Sequence, residues 1–181
     1  MNLFVLRHAS AGTRRINPKL DIKRPLDRDG KQQCMLLGRY LNALNLQFDV
    51  IASSPLKRSL QTASLVGTEI GYEAKVISTE ALSPSASFAT FKQFLDQLSK
   101  HENVLVVGHN PSLQNFLASM VGVTGRSCFR LRKAGMARLD CTQKPATMYW
   151  MVEPRLLRSV YASATKSARR KITSRRKTSK K

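Results

Sequence analysis

Residues 2–8 read NLFVLRH, and residues 103–109 repeat the pattern as NVLVVGH. In both stretches a run of β-branched and large apolar side chains leads to a histidine. A run that is apolar at nearly every position, rather than at every second one, is typical of a strand buried on both faces of a sheet. The two stretches therefore predict two central strands of an α/β sheet, with an imidazole at the carboxyl end of each.

The rest of the chain alternates between short strands and amphipathic helices, which is typical of a sheet covered by helices on both faces. We predict strands at Asn2–Leu6, Asp49–Ala52, Lys75–Ser78, Asn103–Val107, Arg132–Asp140 and Met148–Val152. We predict helices from the N-cap Asp27 to about Asn45, and at Leu56–Ile70, Ala86–Ser99 and Ser112–Val121. Ser54 is expected to cap the second helix, with Pro55 at its first position. A loop is expected from Ala9 to Lys23.

The composition is that of an ordinary globular domain, with 181 residues of which 42% are hydrophobic. A domain of about 150 residues buries enough surface to form a core without disulfides or a metal. The apolar start at Met1–Ala9 is too short for a signal peptide, and no apolar run reaches the roughly 18 residues of a membrane span. We therefore expect a cytoplasmic protein. Cys34, Cys128 and Cys141 are too scattered for a disulfide framework or a zinc site, and we interpret them as reduced thiols.

Positive charge is concentrated near the C-terminus. The net charge is +20, and from Arg155 onward the chain carries lysine and arginine but no acidic residue. The stretch Ala162–Lys181 has a single isoleucine and cannot offset its chain entropy by burying apolar surface. We predict a domain at 1–158 followed by a disordered basic tail at 159–181. Such a tail can bind nucleic acid weakly, bind another anionic surface, or only keep the chain in solution.

Three predicted strand ends carry cationic or imidazole side chains. The first strand ends at Arg7-His8, the second leads through Ser53-Ser54-Pro55 to Arg58, and the fourth ends at Gly108-His109-Asn110. Ligands of open α/β sheets bind at the carboxyl ends of the strands. Two arginines and two histidines suit a small oxyanion such as phosphate, because guanidinium groups match its oxygens and a neutral imidazole is a nucleophile. The helix N-termini after Pro55 and Asn110 add backbone N–H groups. Taken singly, each of these residues is also compatible with a structural or surface role.

Taken together, the motifs resemble those of the histidine phosphatase superfamily. The chain has Leu-Arg-His-Ala at residues 6–9, Ser-Ser-Pro-Leu-Lys-Arg-Ser-Leu-Gln-Thr-Ala at residues 53–63 and Val-Val-Gly-His-Asn at residues 106–110, in the family's order. Arg-His-Ala in place of Arg-His-Gly, and the block from Arg24 through Pro25 and Leu26 to Gly30, are similar to the SixA-type phosphohistidine phosphatases. The resemblance covers about residues 2–153. It implies the phosphoglycerate-mutase-like three-layer sandwich, with a mostly parallel sheet.

The resemblance also implies a hydrolase with a two-step phosphoryl transfer. His8 would be the nucleophile that accepts the phosphoryl group, and Arg7, Arg58 and His109 would bind its oxygens. Arg24 and Asn110 would contribute to substrate binding. No metal and no cofactor is implied. Physically, such a reaction depends on positioning and on electrostatic stabilisation of the transition state.

One departure from the family pattern bears on the substrate. Many members carry an acidic general acid after the third strand, where this chain has Pro84, and nearby Glu80 is expected to face solvent or cap a turn. A missing acid favours phosphohistidine, whose P–N bond is already labile, over a phosphate ester. The short segments after Ser83 and Gly122 predict an open pocket without a large lid.

The leading hypothesis is therefore a metal-independent phosphohistidine phosphatase in signal transduction. Its partner would be a histidine phosphotransfer domain or a phosphocarrier, and its basic surface would suit an acidic partner. Three alternatives stay open: a general phosphomonoesterase of the same fold, nucleic-acid binding through the basic tail, and a pocket that binds phosphate without turnover.

Overall fold

Six strands form one mixed sheet in the computed structural model, which describes residues 1–123 and 129–163. The strands are β1 (Asn2–Arg7), β2 (Val50–Ser53), β3 (Ile77–Ser78), β4 (Asn103–Gly108), β5 (Met136–Asp140) and β6 (Thr147–Val152). Their order in the sheet is β3-β2-β4-β1-β5-β6. The first four run parallel, whereas β5 and β6 are antiparallel to their neighbours. The predicted α/β sandwich with a mostly parallel sheet is confirmed.

The described residues form six α-helices, and helices pack on both faces of the sheet. They are α1 (Pro18–Ile22), α2 (Arg28–Ala43), α3 (Lys57–Glu69), α4 (Phe88–Gln97), α5 (Ser112–Met120) and α6 (154–163), with a short 3-10 helix at Glu80–Leu82. The predicted helices correspond to α2, α3, α4 and α5. Two helices differ from the prediction: α1 interrupts the expected loop before Lys23, and α6 includes the first residues, 159–163, of the expected tail.

The central strands are buried on both faces, as the unbroken apolar runs predicted. On β1, Phe4 and Leu6 belong to the core beneath α2 and α3, and Leu3 and Val5 belong to the core beneath α4 and α5. All four side chains are at most 1% exposed. Since burying one such side chain stabilises a fold by about 1.5–3 kcal/mol, β1 is fixed in place, and so is its carboxyl end.

The start of α2 holds the loop that follows His8. Asp27 is the N-cap of α2 and accepts a hydrogen bond from the backbone nitrogen of Gly30 at 2.7 Å. Its second carboxylate oxygen accepts from Ser10 Oγ at 2.8 Å and from the backbone nitrogen of Gly12 at 2.7 Å. A Cβ at Gly30 would overlap the carbonyl oxygen of Ser10, so only glycine allows this close approach.

Several predictions concern other parts of the chain. Cys34 and Cys141 are free thiols, as expected, whereas Cys128 lies outside the described residues. Of the predicted basic tail, residues 164–181 also lie outside them. Among the helices in the described ranges, none has both the length and the apolar character needed to cross a membrane.

Candidate active site

The sheet order brings the three predicted strand ends to one edge. Strand β4 lies between β1 and β2, and Arg7 on β1 is in register with Gly108 on β4. Beyond the strands, the backbone nitrogen of His8 donates to the carbonyl oxygen of Gly108 at 3.0 Å. The backbone nitrogen of Ser54 donates to the carbonyl oxygen of Val107 at 2.9 Å. The loops that carry the candidate residues therefore begin at neighbouring points of the same sheet edge.

His8 is held as a neutral imidazole with one free ring nitrogen. Its Nδ1 lies 2.8 Å from the carbonyl oxygen of Ala9, which can only accept, so Nδ1 carries the proton. Nε2 then has its lone pair available. Burial is the main reason why the pKa of His8 is lowered to about 3, and the charges of Arg58, Arg7 and Lys133 lower it further. The ring is therefore unprotonated at neutral pH, as a nucleophile must be.

His109 faces His8 across the site. The two ring centroids are 4.9 Å apart, and His109 is only 2% exposed. Its Nε2 lies 2.9 Å from Ser54 Oγ, and its Nδ1 is buried with no hydrogen-bond partner. Burial lowers the pKa of His109 to about 2, with further contributions from His8 and Arg58. If the Ser54 hydroxyl donates to Nε2, the proton of this neutral ring sits on Nδ1, where it can be donated to a ligand.

This contact changes the expected role of Ser54. Helix α3 begins at Lys57, and its N-cap position, Leu56, has no side-chain hydrogen bond. The prediction that Ser54 caps α3 with Pro55 at the first helical position is therefore wrong. The backbone nitrogen of Leu56 lies 3.4 Å from Ser54 Oγ, a weak contact. The hydroxyl instead bonds His109, across 55 residues of sequence.

Arg58 is a buried cation on the first turn of α3. Its side chain is 7% exposed, and its Nη1 donates to the carbonyl oxygen of Asp21 at 3.0 Å and to the carboxylate at 3.3 Å. Its Nε is buried with no hydrogen-bond partner. Burial lowers the pKa of Arg58, and neighbouring Arg24 lowers it further. Cations packed together out of water destabilise one another, and a dianion is the kind of ligand that offsets this cost.

Arg7 and Asn110 share one backbone partner. Arg7 Nη1 donates to the carbonyl oxygen of Leu131 at 3.1 Å, and Asn110 Nδ2 donates to the same oxygen at 2.7 Å. The Arg7 Nε is buried with no partner, and burial lowers the pKa of its guanidinium. Arg7 lowers the pKa of both His8 and His109, so its charge lies within electrostatic range of both rings.

Arg24 is connected to the site through Asp21. Its Nε donates to Asp21 Oδ1 at 2.8 Å, and its Nη1 donates to the carbonyl oxygens of Ala11 and Gly12 at 2.6 and 3.1 Å. Its charge acts on Arg58 and His109. One carboxylate, that of Asp21, thus contacts both Arg24 and Arg58.

The segment after β3 supplies no buried acid at the expected place. Glu80 begins the 3-10 helix and is exposed, as expected from the sequence. The next residues approach the site instead: a Cβ at Gly108 would lie 3.1 Å from the carbonyl oxygen of Leu82. Ser83 is buried. The described residues also contain no group of three or more histidine, cysteine, aspartate or glutamate side chains that could hold a metal ion.

Four residues with a place in this site were missed by the sequence analysis: Asp21, Ser54, Thr62 and Lys133. Thr62 Oγ1 accepts from the backbone nitrogen of Ala9 at 3.0 Å and donates to the carbonyl oxygen of Arg58 at 2.7 Å. It therefore links the loop after His8 to helix α3. The only available signal was that Ser54 and Thr62 fall inside the 53–63 block.

A doubly covered α/β sheet whose strand ends bring together two histidines and two arginines defines a candidate phosphate-transfer enzyme. Residues 3–84 match the model of the histidine phosphatase superfamily, branch 1. An uncharacterised protein of Picosynechococcus sp. is 32% identical over 143 residues, which are 77% of this chain and 84% of that protein. The chain therefore belongs to the histidine phosphatase superfamily.

Within the superfamily, the chain is similar to SixA-type proteins. Phosphohistidine phosphatase SixA of Escherichia coli is 23% identical over 156 residues, which are 85% of this chain and 94% of that protein. A structure of the protein histidine phosphatase SixA with tungstate superposes with a TM-score of 0.78 at 22% identity, covering 87% of this chain and 99% of that one. The α-ribazole phosphatase of Shigella flexneri gives 0.68 at 19% identity, covering 85% and 97%. These structures share the fold.

Proposed function

We propose that this protein removes the phosphoryl group from phosphohistidine in a partner protein. The observation that carries the proposal is the state of His8, a buried neutral imidazole whose Nδ1 is bonded to Ala9 and whose Nε2 is free. The similarity to SixA-type proteins points to the same substrate class. Arg7, Arg58 and His109 are assigned to binding the phosphoryl oxygens, with Arg24 as a further substrate-binding residue.

The proposed reaction has two steps. In the first, Nε2 of His8 attacks phosphorus of a substrate phosphohistidine whose other ring nitrogen carries a proton. The P–N bond breaks with its electron pair staying on the departing ring, which leaves as a neutral imidazole. In the second, water attacks the phosphoryl group on His8, which releases inorganic phosphate and restores the neutral imidazole. The arginines stabilise the charge that develops on the equatorial oxygens, and the Nδ1 proton of His109 is a further donor.

Two observations favour a phosphoprotein as substrate. Glu80 is exposed and Pro84 stands at the place of the usual acid, so an alkoxide leaving group would depart without a proton donor, which costs about 10²–10⁴-fold in rate. Helix α1, which carries Asp21, also exposes Leu20 and Ile22, which are 54% and 51% accessible, and Ile16 just before the helix is 102% accessible. Apolar side chains exposed together beside a site are typical of protein contacts.

The test compares two substrates with one enzyme preparation. We expect kcat/KM for a phosphorylated histidine phosphotransfer domain to exceed that for an alkyl phosphate such as O-phosphoserine by more than about 10²-fold, because only the alkoxide leaving group of the ester needs the absent acid. Both rates should be unchanged by EDTA, since every proposed step uses side chains of this chain. A preference for the ester, or a requirement for added Mg²⁺, would contradict the proposal.

A general phosphomonoesterase is the second candidate function. It is supported by the shared fold with the protein named α-ribazole phosphatase. The same comparison of substrates decides between the two functions. The remaining expectations, nucleic-acid binding by the tail and a cytoplasmic location, depend on segments or properties outside this site. Deleting residues 164–181 and measuring retention on DNA and phosphatase activity separately tests the tail.

A further inference from the structure

A second concave surface opens next to the candidate active site. This basic cleft has a volume of about 640 Å³ and reaches the site at Arg7 and Asn110. Its cationic lining comes from three places in the chain: Arg7, Arg130, Arg132, Lys133, Arg155 and Arg158. Among its described lining residues, Asp29 is the acidic one. The cleft is therefore a concentrated positive surface beside the two histidines.

The turn before β5 fixes one wall of the basic cleft to the backbone of the nucleophile. The backbone nitrogen of Ala134 donates to the carbonyl oxygens of Arg7 and His8 at 3.0 and 3.2 Å. Gly135 closes the turn by donating to the carbonyl oxygen of Arg132 at 2.8 Å. Lys133 projects from this turn close enough to lower the pKa of His8. The wall and the catalytic centre thus have a fixed relative position.

Part of the positive charge of the cleft has no internal counter-charge. Arg132 pairs with Glu153 at 3.3 Å and Arg158 pairs with Asp29 at 2.6 Å. Within the described ranges, Arg130, Lys133 and Arg155 form no salt bridge. Arg130 and Arg155 are also exposed. Uncompensated cations facing solvent around a concave surface attract a negatively charged partner.

We propose that the basic cleft docks the acidic side chains that surround the phosphohistidine on a partner protein. The proposal rests on the proposed function, and it names the part of the surface that selects the substrate. A protein is favoured over a small dianion because the cations come from three places in the chain, and three of them, Arg130, Arg155 and Arg158, are exposed. A small anion is bound by convergent, buried donors, which is the arrangement at Arg58 and His109 instead.

The experiment reverses charge inside and outside the cleft. The cleft variant is Arg130→Glu with Arg155→Glu, and the matched control is Arg39→Glu with Lys100→Glu, at exposed positions outside the cleft lining. Both variants change the net charge equally. Lys133 is left intact because its charge acts on His8. The substrates are a phosphorylated histidine phosphotransfer domain of acidic pI and the small compound monophosphoimidazole.

We expect the cleft variant to lose about 10–10²-fold in kcat/KM for the phosphoprotein, which is within the range of electrostatic steering. Its kcat/KM for monophosphoimidazole should stay within about twofold, which also shows that it is folded. The control variant should keep both activities. The phosphoprotein activity of the wild type should fall with added salt more steeply than that of the cleft variant.

Other outcomes separate the two proposals. Equal losses in the cleft and control variants would mean that only net charge matters, and unchanged phosphoprotein turnover in the cleft variant would mean that partners dock elsewhere. Either result overturns the docking proposal and leaves the proposed function intact. If the wild-type protein hydrolyses neither substrate, the proposed function itself fails and the docking proposal fails with it.

Discussion

The candidate active site and the basic cleft lie side by side, and their cations differ in burial and pairing. In the pocket, Arg58 is buried and held by Asp21, while His8 and His109 are held by fixed hydrogen bonds. In the cleft, Arg130 and Arg155 are exposed and unpaired within the described residues. Buried charges act at full strength and are little screened, whereas exposed ones are weakened by salt. This difference fits the two proposals, in which the buried site carries out the chemistry and the cleft attracts the partner protein.

The largest expected effect is that of His8→Ala. Without the imidazole no phosphoryl-enzyme can form, so we expect turnover to fall by at least about 10⁴-fold on either substrate. Quenching the wild type with a ³²P-labelled substrate in alkaline detergent should trap a labelled enzyme that keeps its label in base and loses it in acid, and the variant should give none. Substantial residual turnover in the variant would show that His8 is not the nucleophile and that the reaction takes place elsewhere in the protein.

Arg58→Ala should have the next largest effect. The guanidinium acts on charge that develops in the transition state, so kcat should fall by about 10²–10³-fold while KM changes less. Steady-state kinetics on monophosphoimidazole separates the two parameters, and Arg39→Ala, at an exposed position on α2, is the matched control. A change confined to KM would make Arg58 a ground-state binder, closer in kind to the cations of the cleft.

The buried histidines should also make stability depend on pH. Their pKa values are about 3 and 2 in the folded protein and about 6.5 in the unfolded chain, so below pH 6.5 protons bind the unfolded state first. Stability is therefore complete above pH 6.5 and is lost as pH falls. Each histidine should cost about 1 kcal/mol between pH 6.5 and 5.5.

Urea unfolding at the two pH values measures this loss. The variant His8→Gln with His109→Gln should show a weaker dependence on pH in that interval. Carboxylates contribute little there, because the pKa values of Asp21 and Asp27 are lowered from 3.8. An equally steep dependence in the variant would show that the rings are not held neutral by burial.

Ser54→Ala should have the smallest effect. Removing the hydroxyl leaves Nε2 of His109 without its partner, so the ring no longer has a preferred tautomer. We expect kcat to fall by about tenfold, the amount associated with roughly 1.4 kcal/mol, with KM nearly constant. Ser54→Thr retains the hydroxyl and should recover most of the activity. If Ser54→Ala instead weakened only folding stability, Ser54 would be structural.

How much the sequence could predict depends on the range of the interactions involved. Strands β1 and β4 follow from apolar runs, and α2 from its periodicity and its Asp27 cap, because all of these are local patterns. Helix α1 was missed although Asn17 caps it and Pro18 begins it, since five residues are too short to show a period. Helix α6 was missed because the charge of its segment obscured Leu157, which is 4% exposed and part of the core.

The sequence predicted the residues at the centre of the candidate site but not the residues that hold them in place through hydrogen bonds. His8, Arg58 and His109 stand at strand ends or on the turn that follows, where α/β sheets place ligands. The contacts of Ser54 with His109 and of Thr62 with Ala9 join residues more than 50 positions apart, which no local rule reports. At Ser54 the local capping rule gave a wrong prediction, because the hydroxyl forms a hydrogen bond with the distant residue His109 instead of capping the helix.

The hydroxyl of Thr62 has a consequence for how such a protein changes over evolution. Because it joins the backbone at Ala9 to the backbone at Arg58, the proposed nucleophile His8 and the proposed phosphate-binding group of Arg58 are held in one rigid unit. Substitutions of surface residues around the site need not disturb this unit. Substitutions on the surface around the site can therefore change which substrates bind, while the relative positions of His8 and Arg58 are inherited unchanged.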